Sequence, residues 1–455
     1  MFKTLAKAWS IKDLRDKLLF VLAIILVYRI GTSIPVPFVY STAISLGSSS
    51  TIFGFLNTLA GGALEQGSLF ALGVSPYITA SIVVQLLTVA IPALERLSKL
   101  GEEGKKKINF ITRILTIAIS IVSAIGYYLI LKKMGALTPF ATEGAYWGFA
   151  AVVIVACYVA GSCVVMWLGE KINEHGIGNG ISIILFANIV SRGGPLLLNF
   201  ISMFQYEYYN NTHVIGSAIF TVLAIVAMLA MIWFVIYISD SERRIPVQYA
   251  KRVVGRKMYG GQNSNIPLKV NMAGVMPIIF ANAILTLPST IAMIFTPEAG
   301  SFWEGVVNFF SNTSPVYAIL QFVLILAFAY FYVAISFNPT EVSGNIQKNG
   351  GAVPGIRPGK ATADFIKKVL SKVTFIGAIS LSIIAVLPLV AYLILNAMTG
   401  IDAAGAAVTF TAITSYASEL AFSGTSVVIV VGVIIETVKE IEAQMTMRNY
   451  KGFLG

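Results

Sequence analysis

Charge is scarce in this sequence. Asp, Glu, Lys and Arg make up only 12% of its 455 residues, about half the share of a soluble domain. With 56% hydrophobic residues beside it, that shortage excludes an ordinary soluble protein and fits a chain exposed to lipid. Cysteine and histidine are also rare, two of each. Cys157 and Cys163 lie six apart in one apolar run, so they do not share a helical face. They read as packing residues, with neither a disulfide framework nor a zinc spacing. His175 and His213 read as isolated loop residues, without a partner for a metal or a triad. Acids are missing from the interior of the long apolar runs, where proton relays and ion sites would need them. The signatures Gly-x-Gly-Asp, His-Glu-x-x-His and Gly-x-Ser-x-Gly do not occur, which argues against a membrane enzyme. Gly355-Ile-Arg-Pro-Gly359-Lys360-Ala361 falls short of a phosphate-binding loop. It has three residues between the glycines instead of four, and Ala361 where Ser or Thr would hold magnesium. Neither catalysis nor a cofactor is expected, so work must come from outside.

What is present is a series of apolar runs, each near the roughly 20 residues that cross a bilayer. Spans are expected near 17–36, 70–91, 110–131, 146–168, 177–194, 214–238, 270–295, 316–337, 370–397 and 421–440. The chain is therefore read as an all-α membrane protein of about ten transmembrane helices. The fifth begins Gly176-Ile-Gly-Asn-Gly180, which is expected to loosen its start. Lysines precede the first run, but no small-residue cleavage site follows, so that run reads as a retained signal anchor. Of the 32 Lys and Arg, 28 fall on the side of residue 1. Only Lys132, Lys133 and Arg192 lie opposite, and Arg29 lies within a span. The positive side is cytoplasmic, which places both termini there. Arg29, 12 residues into its expected span, would sit about 18 Å deep. Burial there costs ~2.5–3.5 kcal/mol, so it must face the bundle interior or water. Five spans per half invert the second half relative to the first, the arrangement of many transport proteins. The expected divisions are an amphipathic cytoplasmic segment 1–16, five-helix halves 17–194 and 214–440, and a cytoplasmic tail 441–455.

Three segments stand apart. Residues 50–66 are too apolar for an outer loop and too short to span. They form either a short helix folded back into a central cavity, covered by protein, or an amphipathic helix on the outer surface. In the loop 239–269, Ile245, Val247 and Tyr249 alternate with other residues, a glycine follows, and then a second short run, which predicts a β-hairpin off the membrane. Its tip is basic, with Arg243, Arg244, Lys251, Arg252, Arg256 and Lys257. In the loop 338–372, two prolines and two glycines between Val353 and Lys360 predict a rigid turn with Arg357 at its apex. The positive-inside bias explains single lysines, but not two stiffened loops tipped with Arg. Such loops suit docking to an acidic protein or to ribosomal RNA through its phosphates. The second span carries Ser75, Pro76, Thr79, Ser81 and Gln85, and the seventh Asn271, Pro277, Asn282 and Pro288. Polar pairs in membranes contribute ~0.6 kcal/mol on average, enough for a reversible helix contact.

At these residues the chain resembles the SecY family. The likeness runs end to end through Arg29-Ile-Gly, Ile34-Pro-Val-Pro37, Gly73-Val-Ser-Pro-Tyr-Ile-Thr-Ala-Ser81, Trp167-Leu-Gly-Glu170 and Gly176-Ile-Gly-Asn-Gly-Ile-Ser182. It continues through Arg243-Arg-Ile-Pro-Val-Gln-Tyr-Ala-Lys251, Lys269-Val-Asn-Met-Ala-Gly274, Phe337-Asn-Pro-Thr-Glu341, Pro354-Gly-Ile-Arg-Pro-Gly359 and Gln444-Met-Thr-Met-Arg-Asn-Tyr450. The resemblance implies two pseudo-symmetric halves around a central pore, in a gated protein-conducting channel of the Sec translocon. It implies a pore ring at Ile78, Ile82, Ile181, Leu185, Ile279 and Ile429. Residues 50–66, with Phe53, Phe55, Leu56, Asn57, Leu59, Ala60, Gly61 and Gly62, become a re-entrant plug. A lateral gate is implied between the second and third spans and the seventh and eighth, at Thr79, Gln85, Asn271 and Asn282. The basic loops, with Arg357 and Lys360, become docking sites for the SecA motor or the ribosome. SecE and SecG are implied as small partner subunits, signal sequences and unfolded precursors as clients, and a bacterial plasma membrane as the location. The alternative from topology alone is a secondary transporter of small solutes.

Overall fold

A backbone in a bilayer has no water to bond to, so an apolar run must satisfy its own N–H and C=O groups, and an α-helix does so. The structure is a computed structural model describing residues 2–41, 44, 57, 59–142, 146–194, 214–249, 252–254, 257–259, 263–295, 305–306, 309–310, 314–399 and 407–451. The first half holds α1 (Phe2–Ser10), α2 (Lys12–Ser33), α3 (Ser75–Ala90), α4 (Pro92–Lys99), α5 (Glu102–Lys133), the short α6 (Pro139–Thr142), α7 (Trp147–His175) and α8 (Gly180–Gly194). After them come α9 (Val214–Asp240), α10 (Met276–Phe295), α11 (Pro315–Ser336), α12 (Pro339–Lys348), α13 (Lys360–Thr399) and α14 (Ala407–Lys451). Each expected span overlaps one of these helices. Among the described residues, α5, α7, α11 and α13 are each long and apolar enough to cross a membrane alone. Leu26, Leu223, Trp233 and Ile319 stand exposed on outward faces, which lipid would cover.

Within the first half α3 packs on α5, α5 on α7, and α2 on α7. In the second, α10 packs on α11, α11 on α13, and α13 and α9 on α14. Across the divide, α10 lies against α3 and α5, and α1 against α14. Arg113 of α5 grips Glu170 of α7 with both Nε and Nη2, at 2.8 and 2.7 Å, the bidentate geometry that favours Arg–carboxylate pairs. Pro92 bends the chain by 102° between α3 and α4. It forces the preceding Ile91 into extended backbone (φ −108°, ψ 113°), as a residue before proline must be. On α4, Lys99 Nζ lies 2.6 Å from Glu95 and holds that carboxyl below its ordinary range.

Several expected boundaries move. The second helix starts at Ser75 rather than near 70, because residues 60–74 turn, with Gly73 at φ +54°. The first starts at Lys12 and ends at Ser33, so Arg29 is one turn from its outer end rather than near mid-span. His175 closes α7 instead of lying in a loop, its ring 5.9 Å from Phe20. His213 lies outside the described residues.

Facing the basic side, β1 (Glu242–Tyr249) and β4 (Asn263–Lys269) pair antiparallel, from Glu242↔Lys269 to Gln248↔Asn263. Between them β2 (Arg252–Val254) and β3 (Lys257–Tyr259) form the predicted hairpin tip. The loop 338–372 is more ordered than its composition suggests. It holds α12, the first residues of α13, and a two-residue strand β5 (Gly351–Ala352) on the free edge of β1. Ile245, Val247, Leu268, Ile346, Val353 and Ile366 bury one another. Two loops read separately from the sequence thus share one core. Leu268→Ala should remove about 2–5 kcal/mol from this module. Limited proteolysis in detergent should then cut both loops faster, while thermal melting of the membrane helices stays unchanged.

Candidate functional site

Four helices bring the six aliphatic residues together. On α8 the start is fixed rather than loose. Asn179 Oδ1 accepts from the N–H groups of Ile181 (3.1 Å) and Ser182 (3.4 Å), a side-chain N-cap. Gly180 donates to Asn173 Oδ1 at 2.7 Å. A Cβ on Gly180 would fall 2.0 Å from the carbonyl oxygen of Gly169, so glycine is required for α8 to approach α7. The helix therefore presents Ile181 and Leu185 on one face, four residues apart. On α3, Pro76 in the first turn sets the start, and Ile78 and Ile82 share a face in the same way. Ile279 comes from α10 and Ile429 from α14. Ile78, Ile82, Leu185, Ile279 and Ile429 are buried in one apolar cluster, and Ile181 packs against it. No side chain of this set carries a polar atom, and an apolar constriction of this kind can exclude ions by dewetting.

Beside the cluster is a cavity of about 70 Å³, lined by four of its members, Ile78, Leu185, Ile279 and Ile429, together with Leu59, Ala60 and Leu64. The latter three come from the apolar segment before α3. Phe53, Phe55 and Leu56 lie outside the described residues. Asn57, Ala60 and Leu64 are buried. Asn57 and Glu65 bond each other twice, side chain to side chain at 2.9 Å and Glu65 N–H to Asn57 Oδ1 at 3.0 Å. Asn188 of α8, itself fully buried, donates to the carbonyl of Leu59 at 2.7 Å and to Tyr28 Oη at 2.8 Å. Arg29 Nη1 reaches the carbonyl of Gly61 at 3.5 Å, and Arg192 Nη2 lies 3.6 Å from Glu65. Tyr127 of α5 donates to the carbonyl of Leu64. Tyr158 of α7 donates to that of Gly67 at 3.4 Å. Gly61 and Gly62 take φ of +67° and +88°, backbone that glycine adopts freely.

Placement of the polar span residues is uneven. Thr79 bonds the carbonyl of Ser75 at 3.1 Å, and Gln85 bonds Ser81 at 3.2 Å, both within α3. Asn282 lines the cavity and accepts from Gln321 of α11 at 3.0 Å. Asn271 precedes α10 and reaches Ser239 at 3.5 Å, so it is not brought to the contact of α10 with α3 and α5. Of the basic residues, Arg243 is exposed and Arg244 pairs with Glu242 at 2.7 Å. Arg252 and Lys257 belong to β2 and β3, while Lys251 and Arg256 lie outside the described residues. Arg357 is exposed on the turn between Gly355 (φ +80°) and Gly359 (φ +94°), and its carbonyl accepts from Thr362 at 2.8 Å. Lys360 is exposed as the first residue of α13. Sequence reasoning missed Tyr28, Asn188, Tyr127 and Gln321, because single polar residues in apolar helices carry no spacing signal.

A family model described as SecY matches residues 68–438. A protein of Streptomyces galbus described as "Protein translocase subunit SecY" is 42% identical over 465 residues, covering all of both chains. Among solved structures, "The structure of a protein conducting channel" aligns with a TM-score of 0.62 at 18% identity, covering 94% of this chain and 92% of that one. "Sec61 in the Canine ribosome-channel complex from the endoplasmic reticulum" aligns with a TM-score of 0.60 at 18% identity and the same coverage.

The capping geometry is open to direct measurement. Asn179→Ala should cost about 1 kcal/mol at the start of α8. The amides of Ile181 and Ser182 should exchange with deuterium roughly fivefold faster, with little change beyond the first turn.

Proposed function

The chain belongs to the SecY family, and from that premise we propose that it is the pore-forming subunit of a membrane protein translocase. It is a gated channel and not an enzyme. Unfolded secretory polypeptides pass through it, and apolar segments leave sideways into lipid. The observation that carries this reading is the convergence of Ile78, Ile82, Ile181, Leu185, Ile279 and Ile429 beside a cavity closed by Leu59, Ala60 and Leu64. Flexible aliphatic side chains seal around a passing chain without offering it a hydrogen bond that would trap it. Residues 50–66 act as the plug. The halves 17–194 and 214–440 part where α10 meets α3 and α5, with Thr79, Gln85 and Asn282 beside that lateral gate. A signal sequence entering there favours the open state by its differential affinity for it.

The exposed Arg243, Arg357 and Lys360, with the basic β2–β3 tip, form the docking face for the SecA motor and for the ribosome. A structural relative described in a ribosome–channel complex supports the second partner. SecE and SecG complete the assembly in a bacterial plasma membrane, with both termini cytoplasmic. Full-length identity to translocase subunits leaves the solute-carrier reading without support.

The first test uses a photo-crosslinking residue at position 82 in channels reconstituted with the small subunits. A secretory precursor stalled by a folded C-terminal domain should crosslink through its mid-chain, and only with SecA and ATP present. Active translocation without that crosslink would remove position 82 from the path. Arg357→Glu should reduce motor-driven transport at least tenfold, while the purified channel melts at the wild-type temperature.

A further inference from the structure

The start of α10 is held from a different helix. Val275, which precedes Met276, has an aliphatic side chain and brings no acceptor of its own to the first turn. The carboxylate of Glu436 on α14 accepts the backbone N–H of Val275. In a capping box, a Glu at the third helical position plays this part. Here that position is Ile278, and the carboxylate comes from α14 instead. Gly274 makes the approach possible. It takes φ of +62°, and a Cβ there would fall 2.1 Å from Glu436 Oε1. Gly432, one turn before Glu436 on α14, admits the Val275 side chain, since a Cβ there would lie 2.1 Å from Val275 Cγ1. Val275 is fully buried, and its carbonyl accepts from the N–H groups of Ile278 at 3.1 Å and Ile279 at 3.2 Å. A single residue thus connects the carboxylate to Ile279, with Glu436 on its N–H and Ile279 on its C=O. On α14, Ile429, Gly432 and Glu436 follow at i, i+3 and i+7, which places them on one face. Glu436 is itself exposed, and the positive charge of Lys269, the last residue of β4, acts on its carboxylate. An acid near the end of a span is therefore not stranded.

Resting on the channel reading, we propose that Glu436 is a positioning residue of the aliphatic cluster, capping α10 from α14 and so fixing the separation of Ile279 and Ile429. The second half then carries these two residues as one unit. Sealing by dewetting depends on how closely apolar side chains approach one another. A slack start of α10 would let Ile279 drift from Ile429 and admit water between them.

The test uses vesicles holding the complete translocase. It reads resting chloride influx, together with deuterium exchange at the amides of Ile278 and Ile279. Loss of a helix cap corresponds to a shift of about fivefold, so Glu436→Ala should raise both by about that factor. Glu436→Gln keeps an acceptor oxygen at the same reach and should restore both to the wild-type level. Glu436→Asp, shorter by one methylene, should behave like Glu436→Ala. A role resting on charge alone would reverse that order, with Asp sealing and Gln leaking, and would overturn the proposal. It is equally overturned if Glu436→Ala leaves influx unchanged, or if influx rises while the two amides exchange at the wild-type rate. If Glu436→Ala fails to assemble, the contrast between Glu436→Asp and Glu436→Gln decides. Motor-driven transport of a precursor by the wild-type protein is measured in the same vesicles. Its failure would overturn the channel reading itself, whereas a failure confined to the Glu436 series overturns only the role given to this residue.

Discussion

Inside a bilayer a polar group has protein for a partner or no partner at all. That constraint decides where this chain is firm and where it can part. Tyr28 with Asn188, Gln321 with Asn282, and Tyr127 with the Leu64 carbonyl are buried pairs that join helices or pin a folded-in segment. Arg113 and Glu170 do the same for α5 and α7 near the basic side. Each of these bonds lies within one half of the chain. Around Ile82, Leu185, Ile279 and Ile429 the side chains are mostly aliphatic, with Asn282 beside them. Contacts of that kind can be broken and remade without stranding a donor or an acceptor, which suits a boundary that must open.

Two of the buried unsatisfied atoms belong to these same polar pairs. Asn282 Nδ2 and Asn188 Oδ1 are buried without partners among the described residues, and an unmet polar atom of this kind carries a cost of about 1–3 kcal/mol. Asn188 reaches the Leu59 carbonyl in the segment before α3, and Asn282 belongs to α10. An arrangement that leaves such atoms unmet is held less tightly than a fully satisfied one.

Much of this was legible in the sequence. Apolar runs gave the positions of the spans, because lipid permits few alternatives, and the basic loops gave the orientation expected for them. Alternation around Ile245 and Val247 gave the hairpin. The six clustered aliphatic residues could be singled out only through the family likeness, since Ile78 and Ile82 look like any aliphatic pair in an apolar helix. Other features were hidden for physical reasons. β5 is two residues long and has no period to detect, so the joining of the two loops was invisible. Arg29 was placed too far from the outer end because α2 stops at Ser33, where Ile34 turns to extended backbone. The glycines before α8 suggested looseness, yet Gly180 serves close packing and Asn179 caps the turn. Asn271 belongs to the approach to α10 rather than to the helix, a distinction that composition does not make.

The helix α13 begins inside the basic module, runs 40 residues from Lys360 to Thr399 with Pro388 inside it, and lies along α14. At 1.5 Å per residue it is about 60 Å long. Mechanically it is a beam, seated at one end by Ile366 in the module and braced along its length by α11 and α14. The Arg357 turn is therefore joined through helix, rather than through loops, to the helix that carries Ile429.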